Sequence, residues 1–269
     1  MGEIEGLYWE EHGQADGPAL ILSSGLGGSA AYWAPNLEAL AADHRVILYD
    51  HRGTGRSERE LAFNVSVEDM AGDVLALMDG LGIASATLVG HAAGGVIGLA
   101  LALAAPDRLG GLVVINGWSR PDPHFARCFE TRLALLRGTG VRAFIRAQAL
   151  FLYPARWISA NDARLVIEEA QQLQHFQGAP NVEARIAALT AFDVDARLAE
   201  IGTPTLLIAA DDDMLVPASC SELLAEGLAD ASLELMTGGH ACNVTEAEYF
   251  NRILRDWLGR ARADREGAS

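Results

Sequence analysis

The stretch Gly90-His91-Ala92-Ala93-Gly94 joins two segments that demand opposite backbone conformations. Before it, Ala86-Thr87-Leu88-Val89 is a short apolar run that reads as a strand. After it, residues 93–105 form an apolar run rich in Ala and Gly that reads as a buried helix, ended by Pro106. Five residues must therefore turn a strand into a helix, and glycines at both ends leave room for that turn. This is the context of a G-x-S-x-G nucleophile elbow, whose serine projects from a tight turn at the top of a sheet. Residue 92 is alanine, so the elbow has no hydroxyl and can form no seryl intermediate there.

Strand and helix signals alternate on either side of the elbow. Strands are expected at 6–10, 19–23, 45–49, 86–89 and 112–115, and helices at 32–42, 67–81 and 93–105. Ser66 reads as an N-cap, with Asp69 three residues on. The later strands are continuous apolar runs, as expected of parallel strands covered on both faces. From 119 to about 197 the rhythm changes to helical patterns punctuated by aromatics. Strand 205–209, helix 219–228, strand 232–236 and helix 246–258 follow, with a charged tail at 259–269 expected to fray. The expected fold class is α/β, a mostly parallel sheet flanked by helices with a helical cap insertion. The expected segments are core 1–118, cap 119–197 and core 198–269.

Charge and cysteine content exclude several classes. A formal net charge of -16 argues against binding to nucleic acid or to anionic membranes. Cys128, Cys220 and Cys242 are too few and too scattered for a disulfide framework. No basic segment followed by an apolar one begins the chain, and no apolar run reaches the ~18–20 residues of a membrane span. The expected location is the cytoplasm. No His/Cys/Asp/Glu cluster has metal-ligand spacing, so neither a metal nor a cofactor is expected.

Four motifs at strand ends carry the chemistry. Ser23-Ser24-Gly25-Leu26-Gly27-Gly28-Ser29 is a glycine-rich loop able to turn backbone amides toward a substrate oxygen, with Leu26 as donor. Asp50-His51-Arg52-Gly53-Thr54-Gly55-Arg56-Ser57 reads as a structural turn. The elbow opens a helix, so the Ala93 N–H and the helix dipole favour a developing anion, while His91 reads as a packed histidine. Finally, Ala210-Asp211-Asp212-Asp213-Met214-Leu215-Val216-Pro217 and Gly238-Gly239-His240 follow the last two strands. Counting back four from Pro217 selects Asp213 as the acid, and His240 stands in a glycine-flanked loop. In this order the four motifs resemble the α/β-hydrolase superfamily, with Ala92, Asp213 and His240 at the triad positions. Cys242 reads as a buried cysteine, since nothing nearby would lower its pKa.

Further stretches resemble one branch, the pyrimidine-utilisation protein D (RutD) group. These are Tyr32-Trp33, Asn116-Gly117-Trp118, Arg127-Cys128-Phe129, Phe151-Leu152-Tyr153-Pro154, His175-Phe176-Gln177-Gly178 and residues 238–245. The resemblance covers nearly the whole chain. It implies a native Gly-His-Ala elbow and a hydrolase of uracil degradation, acting on aminoacrylate or carbamate. In a serine triad, loss of the nucleophile costs about 10⁶ in rate and leaves roughly 10³–10⁴ over water, enough only for a labile substrate. The expected mechanism has Asp213 orient His240, which activates a water near Ala92, while the Leu26 and Ala93 amides hold developing charge. The small substrate would carry a carboxylate, attracted by Arg127 with Arg52 behind it, in a pocket lined by Trp118 and Tyr153. Two other readings stay open: a serine esterase or amidase with its nucleophile engineered to Ala92, and a non-catalytic small-molecule binding protein. The oligomeric state is also open, a homodimer included.

Overall fold

The computed structural model describes residues 1–267, and nearly all of its strands belong where the apolar runs lie. Strands β1 (Gly2–Ile4), β2 (Leu7–Gly13) and β3 (Ala19–Ser23) come first. Helix α1 (Ala34–Ala41), strand β4 (Arg45–Tyr49) and helix α2 (Val67–Gly80) follow, then β5 (Ala86–His91), α3 (Ala93–Ala104) and β6 (Leu109–Ile115). Five helices come next: α4 (Pro123–Gly138), α5 (Val141–Leu152), α6 (Ala155–Ala160), α7 (Asp162–Gln174) and α8 (Ala179–Ala191). The chain then makes β7 (Thr205–Ala210), α9 (Ala218–Gly227), β8 (Ala231–Met236), α10 (Cys242–Thr245) and α11 (Ala247–Gly267).

All eight strands form one sheet in the order β1-β2-β4-β3-β5-β6-β7-β8. The β1–β2 and β2–β4 pairs are antiparallel and the rest parallel. Side chains alternate across this sheet into two cores. Ile21, Ile47, Leu88, Leu112 and Leu207 pack with α2, α3 and α9, whereas Leu20, Val46, Val89, Val113 and Leu206 pack with α1 and α11. Strand β3 pairs with β4 on one side and β5 on the other, and the chain reverses direction there. In parallel α/β sheets ligands bind at such a reversal, outside the carboxyl ends of the strands. The loops after β3 and β5 leave the sheet side by side at this point.

Three local expectations are corrected. The first expected strand, 6–10, lies in the second arm of a hairpin and starts one residue later: Glu5 and Gly6 both have positive φ, 48° and 79°, and turn β1 onto β2. The helix expected from 32 begins as a 3₁₀ turn, Ala30–Trp33, before α1. The last helix does not stop at 258; α11 runs to Gly267, and Ala268 and Ser269 of the expected frayed tail lie outside the described residues. Ser66 caps α2 as expected, in a full capping box with Asp69. Among the described residues no helix is long and apolar enough to cross a membrane.

Candidate active site

The elbow is built although its hydroxyl is absent. Ala92 has φ 48° and ψ -108°, a conformation that an L residue adopts only under constraint. Its N–H donates to the Ile115 carbonyl at 2.8 Å, tying the turn to β6. Ala93 is the first residue of α3, so its N–H precedes the helical hydrogen-bond ladder and is free to meet an anion.

The acid and the histidine meet as the spacing predicts. His240 Nδ1 lies 2.7 Å from Asp213 Oδ2, and both side chains are buried. The other oxygen, Asp213 Oδ1, accepts N–H bonds from Leu215 and Val216 at 2.6 and 3.0 Å. Asp212 does a different job: its Oδ1 accepts the N–H groups of Gly238 and Gly239, both at 2.8 Å, and shapes the histidine loop. The His240 carbonyl is pinned from two sides, accepting from Asn116 Nδ2 and from His91 Nε2 at 2.8 Å each. Cys242 is fully buried and burial pushes its thiol up to about 12, so it is no substitute nucleophile.

A second buried network supports the loop after β3. From α8, Arg185 donates through Nε to the Leu26 carbonyl at 3.3 Å and through Nη2 to His51 Nδ1 at 2.9 Å. His51 Nε2 lies 3.1 Å from Ser23 Oγ, which lies 2.8 Å from the Tyr49 hydroxyl. Burial, then the Arg185 charge, holds His51 far below the usual histidine range; burial, then His240, does the same for His91. Asp50 is structural, as its motif suggests: it accepts the Ala30 N–H at 2.8 Å and pairs with Arg56 at 2.8 Å.

The two neutral histidines set a pH dependence of stability. The unfolded chain protonates each near pH 6.5, whereas the folded chain does not until far lower pH. Their contribution is therefore complete above about pH 6.5 and is lost as pH falls below it, at up to about 1.4 kcal/mol per pH unit for each. Urea titrations between pH 7.5 and 5 should show His51→Gln flattening this slope by about one proton. An unchanged slope would mean that His51 is charged in the fold.

Leu26, Ala92, Ala93 and His240 line one cavity of about 860 Å³, together with Trp118 and Tyr153. Trp118 packs against Phe125 with ring centroids 4.4 Å apart, and Tyr153 stacks on Trp157 at 4.3 Å. The two expected arginines are elsewhere. Arg127 is exposed on α4 and lines no part of the cavity. Arg52 is engaged by Asp73 at 2.9 Å, Glu58 at 2.6 Å and the Glu5 carbonyl at 2.9 Å. The arginine of α4 that does line the cavity is Arg132, which is 2% exposed. Helical spacing explains the shift: Phe125, Cys128, Phe129, Arg132 and Leu136 share the buried face, and residue 127 falls outside it.

This strand order, elbow and buried Asp–His pair define a class. The chain belongs to the α/β-hydrolase fold family, whose model matches residues 18–247, and within it to the RutD proteins. A RutD protein named for carbamate hydrolysis, from Caulobacter sp. (strain K31), is 54% identical over 260 residues, 96% of this chain and 97% of that one. A protein of the same name from Variovorax paradoxus (strain S110) is 53% identical over 259 residues, with the same coverage. Among solved structures, the enol-lactonase from Burkholderia xenovorans LB400 is similar at 27% identity and a TM-score of 0.86, covering 95% of this chain and 98% of its own.

Proposed function

We propose that this hydrolase speeds the breakdown of a small, labile carbon–nitrogen compound, aminoacrylate or carbamate, using a histidine-activated water in place of a serine. One observation carries the reading: the Asp213–His240 pair is intact at 2.7 Å beside an elbow whose apex is a methyl group. The names of the RutD relatives, which refer to carbamate hydrolysis, support the substrate class. A role in pyrimidine breakdown is what the resemblance to the RutD group implies.

For the imine form of aminoacrylate, water at Ala92 attacks the imine carbon and gives its proton to His240. The amine nitrogen of the resulting carbinolamine takes that proton back. His240 then carries the hydroxyl proton to the same nitrogen, and ammonia leaves as the oxygen forms a carbonyl, while the Leu26 and Ala93 amides hold its developing charge. No covalent enzyme intermediate forms. Ammonia release from freshly generated aminoacrylate and from carbamate is the test, and acceleration of about 10³-fold over the uncatalysed rate is expected for one of them. Ala92→Ser is expected to show no nitrophenol burst with nitrophenyl acetate and no acyl adduct by mass. A protein-independent rate for both compounds would overturn the proposal, and a burst would favour a serine hydrolase lacking its nucleophile.

A further inference from the structure

Arg132 is a buried charge without a counter-charge. Among the described residues no carboxylate forms an ion pair with it, and burial keeps the neighbouring Cys128 thiol protonated and uncharged. Its Nη2 donates to Gln148 Oε1 at 3.1 Å, and its Nε has no partner. The guanidinium carbon lies 5.1, 5.5 and 5.7 Å from the ring centres of Phe129, Phe144 and Phe151. Aromatic faces attract a cation but offer no acceptor to its N–H groups. Burial pushes the group down to about 10, which leaves it charged at neutral pH.

An unpaired buried cation is costly, and folds seldom keep one without a use. Other residues that line the cavity also carry buried polar atoms without a partner. Trp118 Nε1 is a buried donor without a partner, whereas His91 Nδ1 and Gln177 Oε1 are buried atoms that can accept. Because His91 Nε2 serves the His240 carbonyl, Nδ1 is left as the bare acceptor of a neutral ring. The cavity thus has an unpaired cation on its α4–α5 side and a bare acceptor beside the elbow. We infer that Arg132 anchors a substrate carboxylate, so that the carbon attacked at the elbow is not the carboxylate carbon.

This inference rests on the hydrolytic reading above and sharpens it. Carbamate has one carbon, which would have to serve both as the anchored carboxylate and as the reacting centre. A short imine or enamine acid has two separate ends: the carboxylate meets Arg132, and the nitrogen-bearing carbon reaches the water at Ala92. Bidentate Arg–carboxylate pairing suits such a planar anion.

Arg132→Gln and Arg132→Lys test it, with malonate and acrylate as probes and malonamide and acrylamide as neutral controls. In the wild type, malonate and acrylate should compete with aminoacrylate and raise the melting temperature, and the amides should do neither. Arg132→Gln should lose both responses and raise KM for aminoacrylate by about 10²-fold, with kcat within a few-fold. Arg132→Lys should recover part of the binding, since a point charge lacks the paired donors. Without ligand, Arg132→Gln should melt no lower than the wild type, because it removes an unpaired buried charge. A lower melting temperature with KM unchanged would assign Arg132 to packing and overturn the inference. Unaltered malonate binding in Arg132→Gln would also overturn it, even if His240→Ala abolished ammonia release and so upheld the hydrolytic reading. If His240→Ala released ammonia at the wild-type rate, the hydrolytic reading would fall, and the malonate response would still decide the anion site.

Discussion

Asp213→Asn is expected to lower kcat for ammonia release by about 10²–10³-fold, to near the uncatalysed rate, in a chain that still folds. The reason lies in how the two carboxylate oxygens are used. Oδ1 accepts two backbone N–H groups, from Leu215 and Val216, and Oδ2 faces His240 Nδ1. An asparagine in the same rotamer must keep its carbonyl oxygen on those two donors, since an NH₂ group there would oppose two N–H groups. Its Nδ2 is then forced toward His240 Nδ1, which must accept. The ring proton moves to Nε2, and a protonated Nε2 cannot take a proton from water. The backbone of His240 has no freedom to correct this, because Asn116 and His91 hold its carbonyl. His240→Ala should lose a similar factor, and the double variant little more, as residues acting as one unit are not additive. Wild-type turnover in Asp213→Asn would show that this carboxylate does not set the tautomer.

The legible parts of the site are those that the backbone itself must build. Glycines around residue 92 and before His240 announce sharp turns at strand ends. The offset from Pro217 separates Asp213 from Asp212, which serves the Gly238 and Gly239 amides instead. What escapes sequence reading is the pair of buried arginines. An arginine on an amphipathic helix is expected at the surface, because water solvates it there. Only its register on the helix says otherwise. Arg132 shares a face with Phe125 and Phe129, and Arg185 with Val182 and Leu189. Arg127, the arginine that the net charge of -16 makes the candidate for attracting a carboxylate, sits off that face. The α11 extension is hidden for the opposite reason: a charged tail looks unanchored although its Ala, Arg and Glu residues favour helix.

Gly94→Ala is expected to destabilise the fold by more than about 4 kcal/mol, whereas Gly72→Ala should stabilise it by about 1 kcal/mol. A Cβ at Gly94 would lie 2.1 Å from the Ser23 carbonyl oxygen and 2.6 Å from its carbon. Those are backbone atoms of β3 and cannot swing aside. Gly72 lies on the exposed side of α2 with nothing within 4 Å of such an atom, so only the intrinsic helix preference of alanine acts there. Urea midpoints of both variants give the contrast under one condition, and a loss below about 1 kcal/mol for Gly94→Ala would mean that α3 can slide on the sheet. The functional consequence follows from register. Ser23 pairs with Gly90, so the loop that carries Leu26 and the elbow that carries Ala93 leave the sheet as immediate neighbours. Any shift that relieves Gly94→Ala separates those two amides and releases the strained turn at Ala92. The close packing of β3, β5 and α3 therefore maintains the anion-binding geometry independently of what residue 92 carries, which is how a hydroxyl can be absent while the rest of the site stays assembled.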